Sequence, residues 1–196
     1  MGSPSIFVHE QSDCFERQWC GPQRSLTLMA RLGQDKQAPL LLSMYKPCHC
    51  HANLCCLRPT MTISDGAGRP VGRIDDPFAC CLVNQHVLNS QGEERFYVRG
   101  SCCQLGLYWA CCDVSFDVES AASGAKGRIQ KIFDGFGEIF LNTNRFKIDY
   151  PPDATEEDKA LLFASAMLLD LQYFEKNKRR GGRRHGGIGL ALNSVF

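Results

Sequence analysis

Between Lys159 and Glu175 the chain reads ALLFASAMLLDLQYF, a run with no polar side when wound as a helix, broken only by Ser165, Asp170 and Gln172. A helix without a polar face must be enclosed by protein or by lipid. The run is shorter than the ~20 residues that hydrocarbon requires. Asp170 within it adds the cost of a charge at bilayer depth. Enclosure by protein is therefore expected, with Leu161, Leu162, Met167, Leu168 and Leu171 buried, and the rest of the chain must supply the walls.

Those walls read as strands. Short runs recur between turn signals: IFVHE, SLTLMARL, PLLLSMY, TMTIS, RPVGRI, CLVNQHVLN, RFYVRG, DVSFDVE, GRIQKIF and RFKIDY. DVSFDVE alternates strictly, with Val114, Phe116 and Val118 on one face and Asp113, Ser115, Asp117 and Glu119 on the other, the pattern of a half-buried strand. SDGAGRP, NSQGEE and SAASGAKG punctuate the runs at the spacing of an all-β sheet or barrel, and LNSQGEERFYV predicts a hairpin with Gly92 in its turn. The one helical segment, from about Asp153 to Glu175, comes last. Pro151 and Pro152 block an earlier start, Asp153 is placed to cap it, and Glu156 three residues on would complete a capping box. Glu156, Glu157 and Asp158 follow where the helix dipole favours negative charge.

Composition narrows the class. With 196 residues, 44% apolar and 22% charged, the chain is long enough for one domain with a real core and is not disordered. Lys plus Arg (22) nearly cancels Asp plus Glu (21), so overall charge selects no partner. The exception is KNKRRGGRRHGG, which sets residues 176–196 apart as a basic Gly/Arg-rich tail from a domain over 1–175. Of 12 cysteines, eight form adjacent pairs, Cys55-Cys56, Cys80-Cys81, Cys102-Cys103 and Cys111-Cys112, which bridge each other only with strain. The first twenty residues contain no apolar leader segment, and Ile6 stands where a myristoylation motif needs Ser or Thr. Reduced thiols on the cytosolic side are the expectation.

Six segments in order resemble the phospholipid scramblase family: DCFERQWCGPQRSLTL, CHCHANLCCL, PVGRIDDPFACC, FYVRGSCCQLGLYWACCDVSFDV, NRFKIDYPPD and KALLFASAMLLDLQYFE, together spanning about Phe7 to Glu175. The resemblance implies a tubby-like fold, a closed antiparallel β-barrel around a buried C-terminal hydrophobic helix. It also implies calcium-dependent, ATP-independent, bidirectional movement of phospholipids by a palmitoylated membrane protein. Two departures stand out. The family's proline-rich arm is absent, so SH3 and WW partners are not expected. The chain also opens near IFVHE, inside the barrel, so the first strands would be missing and open edges would invite self-association. The alternative is a membrane-tethered adaptor or regulator with nuclear or DNA-binding roles.

The resemblance also nominates sites. NTNRFKIDYPPD aligns with the family's twelve-residue calcium segment, placing Asn142, Asn144, Phe146, Ile148, Tyr150 and Asp153 at the ligand positions of an EF-hand-like loop. Only Asp153 is a carboxylate, and Lys147 sits where Gly is usual, so calcium affinity of about 10⁻³ M or weaker is expected. In CHCHANLCC, Cys48, Cys50, Cys55 and Cys56 fall on the family's palmitoylated cluster. Several acyl chains anchor stably where one does not, which directs the protein to the cytosolic face of the plasma membrane, with the nucleus as a second location. Zinc is the rival reading of that cluster, although the usual C-x₂₋₄-C spacing is absent. The remaining cysteine pairs are assigned to the core. In GRIQKIFDG only Arg128 and Lys131 keep the charge of the family's nuclear-import segment, and Asp134 opposes it. The tail's Lys176, Lys178, Arg179, Arg180, Arg183 and Arg184 suit anionic lipid or, weakly, nucleic acid. No nucleophile–base pair, phosphate loop or carboxylate pair is legible, so no covalent catalysis is expected.

Overall fold

The computed structural model describes residues 6–11, 24–33, 37–48, 58–79, 82–101, 103–108, 112–132 and 145–174. Ten strands run in chain order: β1 (Ile6–Gln11), β2 (Leu26–Leu32), β3 (Leu40–Lys46), β4 (Thr60–Asp65), β5 (Pro70–Asp75), β6 (Leu82–Asn89), β7 (Glu94–Ser101), β8 (Val114–Ser120), β9 (Lys126–Ile132) and β10 (Arg145–Asp149). A single short turn of helix, α1 (Leu105–Tyr108), lies between β7 and β8, and α2 (Glu156–Leu169) follows β10. α2 continues into a π-helical turn over Asp170–Phe174.

Every strand pairs antiparallel with the next in sequence, giving one ten-stranded meander. Among the described residues β1 and β10 do not pair with each other, so the sheet is an open barrel. Alternation decides which side faces in: Val114, Phe116 and Val118 of β8 are buried while Asp117 between them is exposed. The β6–β7 hairpin turns at Gly92, whose φ of 82° lies in the left-handed region that glycine adopts without strain.

The inward faces close on α2. From Ala160 to Leu171 every residue is buried, Leu161, Leu162, Met167, Leu168 and Leu171 among them. The helix packs on β4, β5, β6 and β10. It lies over Gly72 of β5, where a Cβ would stand 2.9 Å from Leu161 Cδ2 and 2.2 Å from the Leu88 carbonyl oxygen of β6. A side chain at position 72 would collide first with the β6 backbone at Leu88 and then with Leu161 of α2, so the β5–β6 pairing would have to shift. The polar breaks of the apolar run also have structural places: Ser165 Oγ donates to Gln85 Oε1 of β6 at 2.6 Å, with both side chains fully buried. Among the described residues no helix is long and apolar enough to cross a membrane.

Candidate functional site

The segment from β10 into α2 carries the calcium-loop candidates. Asn142 and Asn144 lie outside the described residues. Phe146 and Ile148 point inward from β10 and are buried, with Phe146 packed edge-on against Phe174 at 6.0 Å. Tyr150 is partly buried, and burial pushes its phenol up to about 12. β10 is extended and paired with β9 from Arg145↔Ile132 to Asp149↔Arg128. Carbonyls two residues apart on a strand stand roughly 6.6 Å apart. Two ligands of one calcium ion at about 2.4 Å each are separated by less than 5 Å. Phe146 and Ile148 therefore cannot share an ion in this conformation, and Lys147 beside them is engaged by Asp149 at 3.1 Å. The described part of the segment does not fit a calcium loop.

Asp153 is not the helix cap that the sequence suggests. It sits in a turn before the helix, where the hydroxyls of Ser120 and Ser123 both donate to its Oδ2 at 2.7 Å. Those two bonds hold its carboxyl below the usual range. The cap is Thr155, whose Oγ1 accepts from Asp158 N–H at 3.3 Å while Thr155 N–H donates to Asp158 Oδ2 at 3.0 Å. What selects this register is Arg95 of β7: its Nη2 donates to Asp158 Oδ2 at 2.7 Å and its Nε to Oδ1 at 3.1 Å. Burial pushes Asp158 up, but the Arg95 and Thr155 hydrogen bonds outweigh it and leave the carboxyl below its ordinary value. The Thr155-x-x-Asp158 pattern is itself a capping-box signature; only the contact with Arg95, 63 residues away in sequence, separates it from Asp153-x-x-Glu156.

At the opposite end of the helix lies the rim where the connections β1–β2, β3–β4, β5–β6 and β7–β8 begin and end. All twelve cysteines fall in those four connections by sequence. Cys48, Cys103 and Cys112 are exposed; Cys50, Cys55 and Cys56 lie outside the described residues. The core assignment is thus corrected for Cys103 and Cys112. β7 ends at Ser101 and β8 begins at Val114, so both residues fall past the pleat that alternates into the core. Cys80, Cys81, Cys102 and Cys111 lie outside the described residues.

This rim is locked to the helix by a buried carboxylate the sequence did not reveal. Asp76, 1% exposed, accepts from Arg58 Nη2 at 3.2 Å and from Tyr173 OH at 3.3 Å. Burial raises its pKa, and the Arg58 charge only partly offsets that. Arg58 closes the cysteine-bearing β3–β4 connection and Tyr173 belongs to the π turn, so one side chain joins the two segments. Lys131, buried on β9, lies 4.7 Å from the Phe174 ring centre, whereas Arg128 faces out and pairs with Asp117 at 3.3 Å. An import signal needs both charges accessible, and Lys131 is not. Among the described residues no three His, Cys, Asp or Glu side chains gather as a metal site.

These features meet a consistent set of relatives. The family model described as Scramblase matches residues 1–176. Phospholipid scramblase 2 of Bos taurus is 27% identical over 183 residues, covering 91% of this chain and 60% of its own length. Phospholipid scramblase 1 of Homo sapiens is 28% identical over 180 residues, covering 89% and 54%. Phospholipid scramblase family member 5 of Homo sapiens is 27% identical over 178 residues, covering 89% and 64%. The chain thus spans just over half to under two-thirds of the length of these relatives. No solved structure matches significantly. The match over nearly the whole barrel and its enclosed helix places this chain in the Scramblase family.

Proposed function

We propose that the chain takes part in moving phospholipids between membrane leaflets, without covalent chemistry, as a barrel tethered at the cytosolic face of the plasma membrane. The observation carrying this reading is the family match across residues 1–176, with relatives named phospholipid scramblases. In this reading Cys48, Cys50, Cys55 and Cys56 bear acyl chains, since two or more chains anchor where one binds marginally. The calcium trigger implied by the family is weak or lost. Asn142 and Asn144 bring no charge, Lys147 opposes a cation, and Asp153 is the one carboxylate at the six ligand positions.

A specific observation favours a second reading. Moving a headgroup through hydrocarbon needs a polar path with membrane-spanning walls, while α2 is enclosed by its own sheet. A tethered adaptor or regulator, with nuclear or nucleic-acid roles through the basic tail, needs no such path. Reconstitution separates the two. Purified protein in liposomes should accelerate exchange of a fluorescent phospholipid between leaflets, and chelating calcium should leave the rate unchanged. No acceleration at any calcium concentration would overturn lipid movement in favour of the adaptor. Loss of exchange on chelation would instead restore the calcium trigger.

A further inference from the structure

The two ends of the barrel are built differently. At the end where α2 begins, the described strands are joined by short turns such as Asp65–Arg69 and Asn89–Glu93, and the first turn of the helix is acidic with Glu156 and Glu157. At the other end the β1–β2, β3–β4 and β7–β8 connections are long, the β5–β6 connection is shorter, and the exposed Cys48, Cys103 and Cys112 lie in them. Exposed apolar residues follow the same division. Among the described residues four large apolar side chains are exposed: Phe78 (66%), Leu82 (55%), Leu32 (50%) and Tyr45 (49%). Three of them, Phe78, Leu82 and Tyr45, sit at or beside the long-connection rim; only Leu32 is at the short-turn end.

We propose that this rim, led by Phe78 and Leu82, is the surface that seats on an anionic bilayer. The inference rests on the membrane reading above and adds which face touches lipid. Phe78 lies in the β5–β6 connection and Leu82 opens β6, and together they present an aromatic and an aliphatic side chain to solvent. The Arg58 guanidinium lies 6.0 Å from the Phe78 ring centre, which sets a cation beside the apolar tip at the depth of lipid headgroups. Asp76 holds Arg58 there by an ion pair, and Tyr173 ties the same carboxylate to the end of α2, so the cation beside Phe78 is anchored to the core. The chain beyond α2 leaves from this end, and its sequence is basic. Among the described residues Asp113 is the exposed acid on this side. Acyl chains on Cys48, in the adjoining connection, would enter the same bilayer.

The test uses the full chain made in bacteria, so that no acyl chain contributes, with phosphatidylcholine vesicles containing or lacking phosphatidylserine. The parent protein should bind the phosphatidylserine vesicles. A Phe78→Glu, Leu82→Glu double variant should bind them about a hundredfold more weakly, because each lost side chain is worth roughly tenfold in partition. Leu32→Glu, the same change at the far end, should bind as the parent does. Both positions are exposed, so unfolding temperature should be unchanged, and a Phe78→Ser, Leu82→Ser variant repeats the test without adding charge. Absence of parent binding, equal binding by the double variant, or equal weakening by Leu32→Glu would overturn the assignment. A change in the double variant's solution mass with unchanged vesicle binding would also overturn it, making the rim a protein contact. Lipid exchange is read separately: it can fail while rim binding holds, or persist while the rim proves irrelevant.

Discussion

Leu168→Asp is expected to abolish cooperative folding in detergent-free buffer. Leu168 is fully buried in the middle of α2. Truncating such a leucine to alanine typically costs about 3–5 kcal/mol. An aspartate at the same place also loses its hydration with no partner to replace it, which adds the penalty of a buried unpaired charge. The total is comparable with the whole stability of an ordinary domain, about 5–15 kcal/mol. Circular dichroism and urea titration would read the outcome. A soluble variant that still unfolds cooperatively would contradict an enclosed α2.

Asp158→Ala should be the most damaging change at the helix start. It removes the capping-box partner of Thr155 and the bidentate partner of Arg95 together. A lost cap costs about 1 kcal/mol and a lost charged hydrogen bond about 1.5–3, so about 3 kcal/mol in sum is expected from urea unfolding. The same pair sets an acid limit. Asp158 has a folded pKa below its unfolded one, so its stabilisation is full above the ordinary aspartate range and is lost as pH falls through the lowered folded value. Asp158→Asn should flatten that acid limb. Asp153→Ala, by contrast, should lose only the Ser120 and Ser123 bonds at an exposed turn.

Asp153 and Asp158 differ in what local sequence specifies and what only the fold decides. All ten strands were legible because one face of each is buried, so period-two alternation survives in runs such as DVSFDVE. The helix was legible because a run apolar on all sides must be enclosed, and its length and Asp170 favour protein over lipid. Its first turn was not, since Asp153-x-x-Glu156 and Thr155-x-x-Asp158 satisfy the same local rule. Arg95 on a distant strand chose between them. The Arg58–Asp76–Tyr173 lock was invisible for the same reason: its members belong to three segments that only the fold brings together. Cys103 and Cys112 lie just past strand ends, the least determined part of a periodic pattern, so their exposure is not legible from the runs beside them. On the calcium segment the extended β10 adds a geometric obstacle to the missing carboxylates.

Amide hydrogen exchange across Leu161 to Leu169 in detergent-free buffer reports whether α2 is enclosed by its own sheet. Enclosed amides open only when the barrel opens, so they should exchange at the slowest rate in the chain, matching global unfolding, and adding bilayers should not slow them further. Rapid exchange in buffer that becomes protected only when vesicles are added would contradict enclosure and make α2 a membrane-seeking segment.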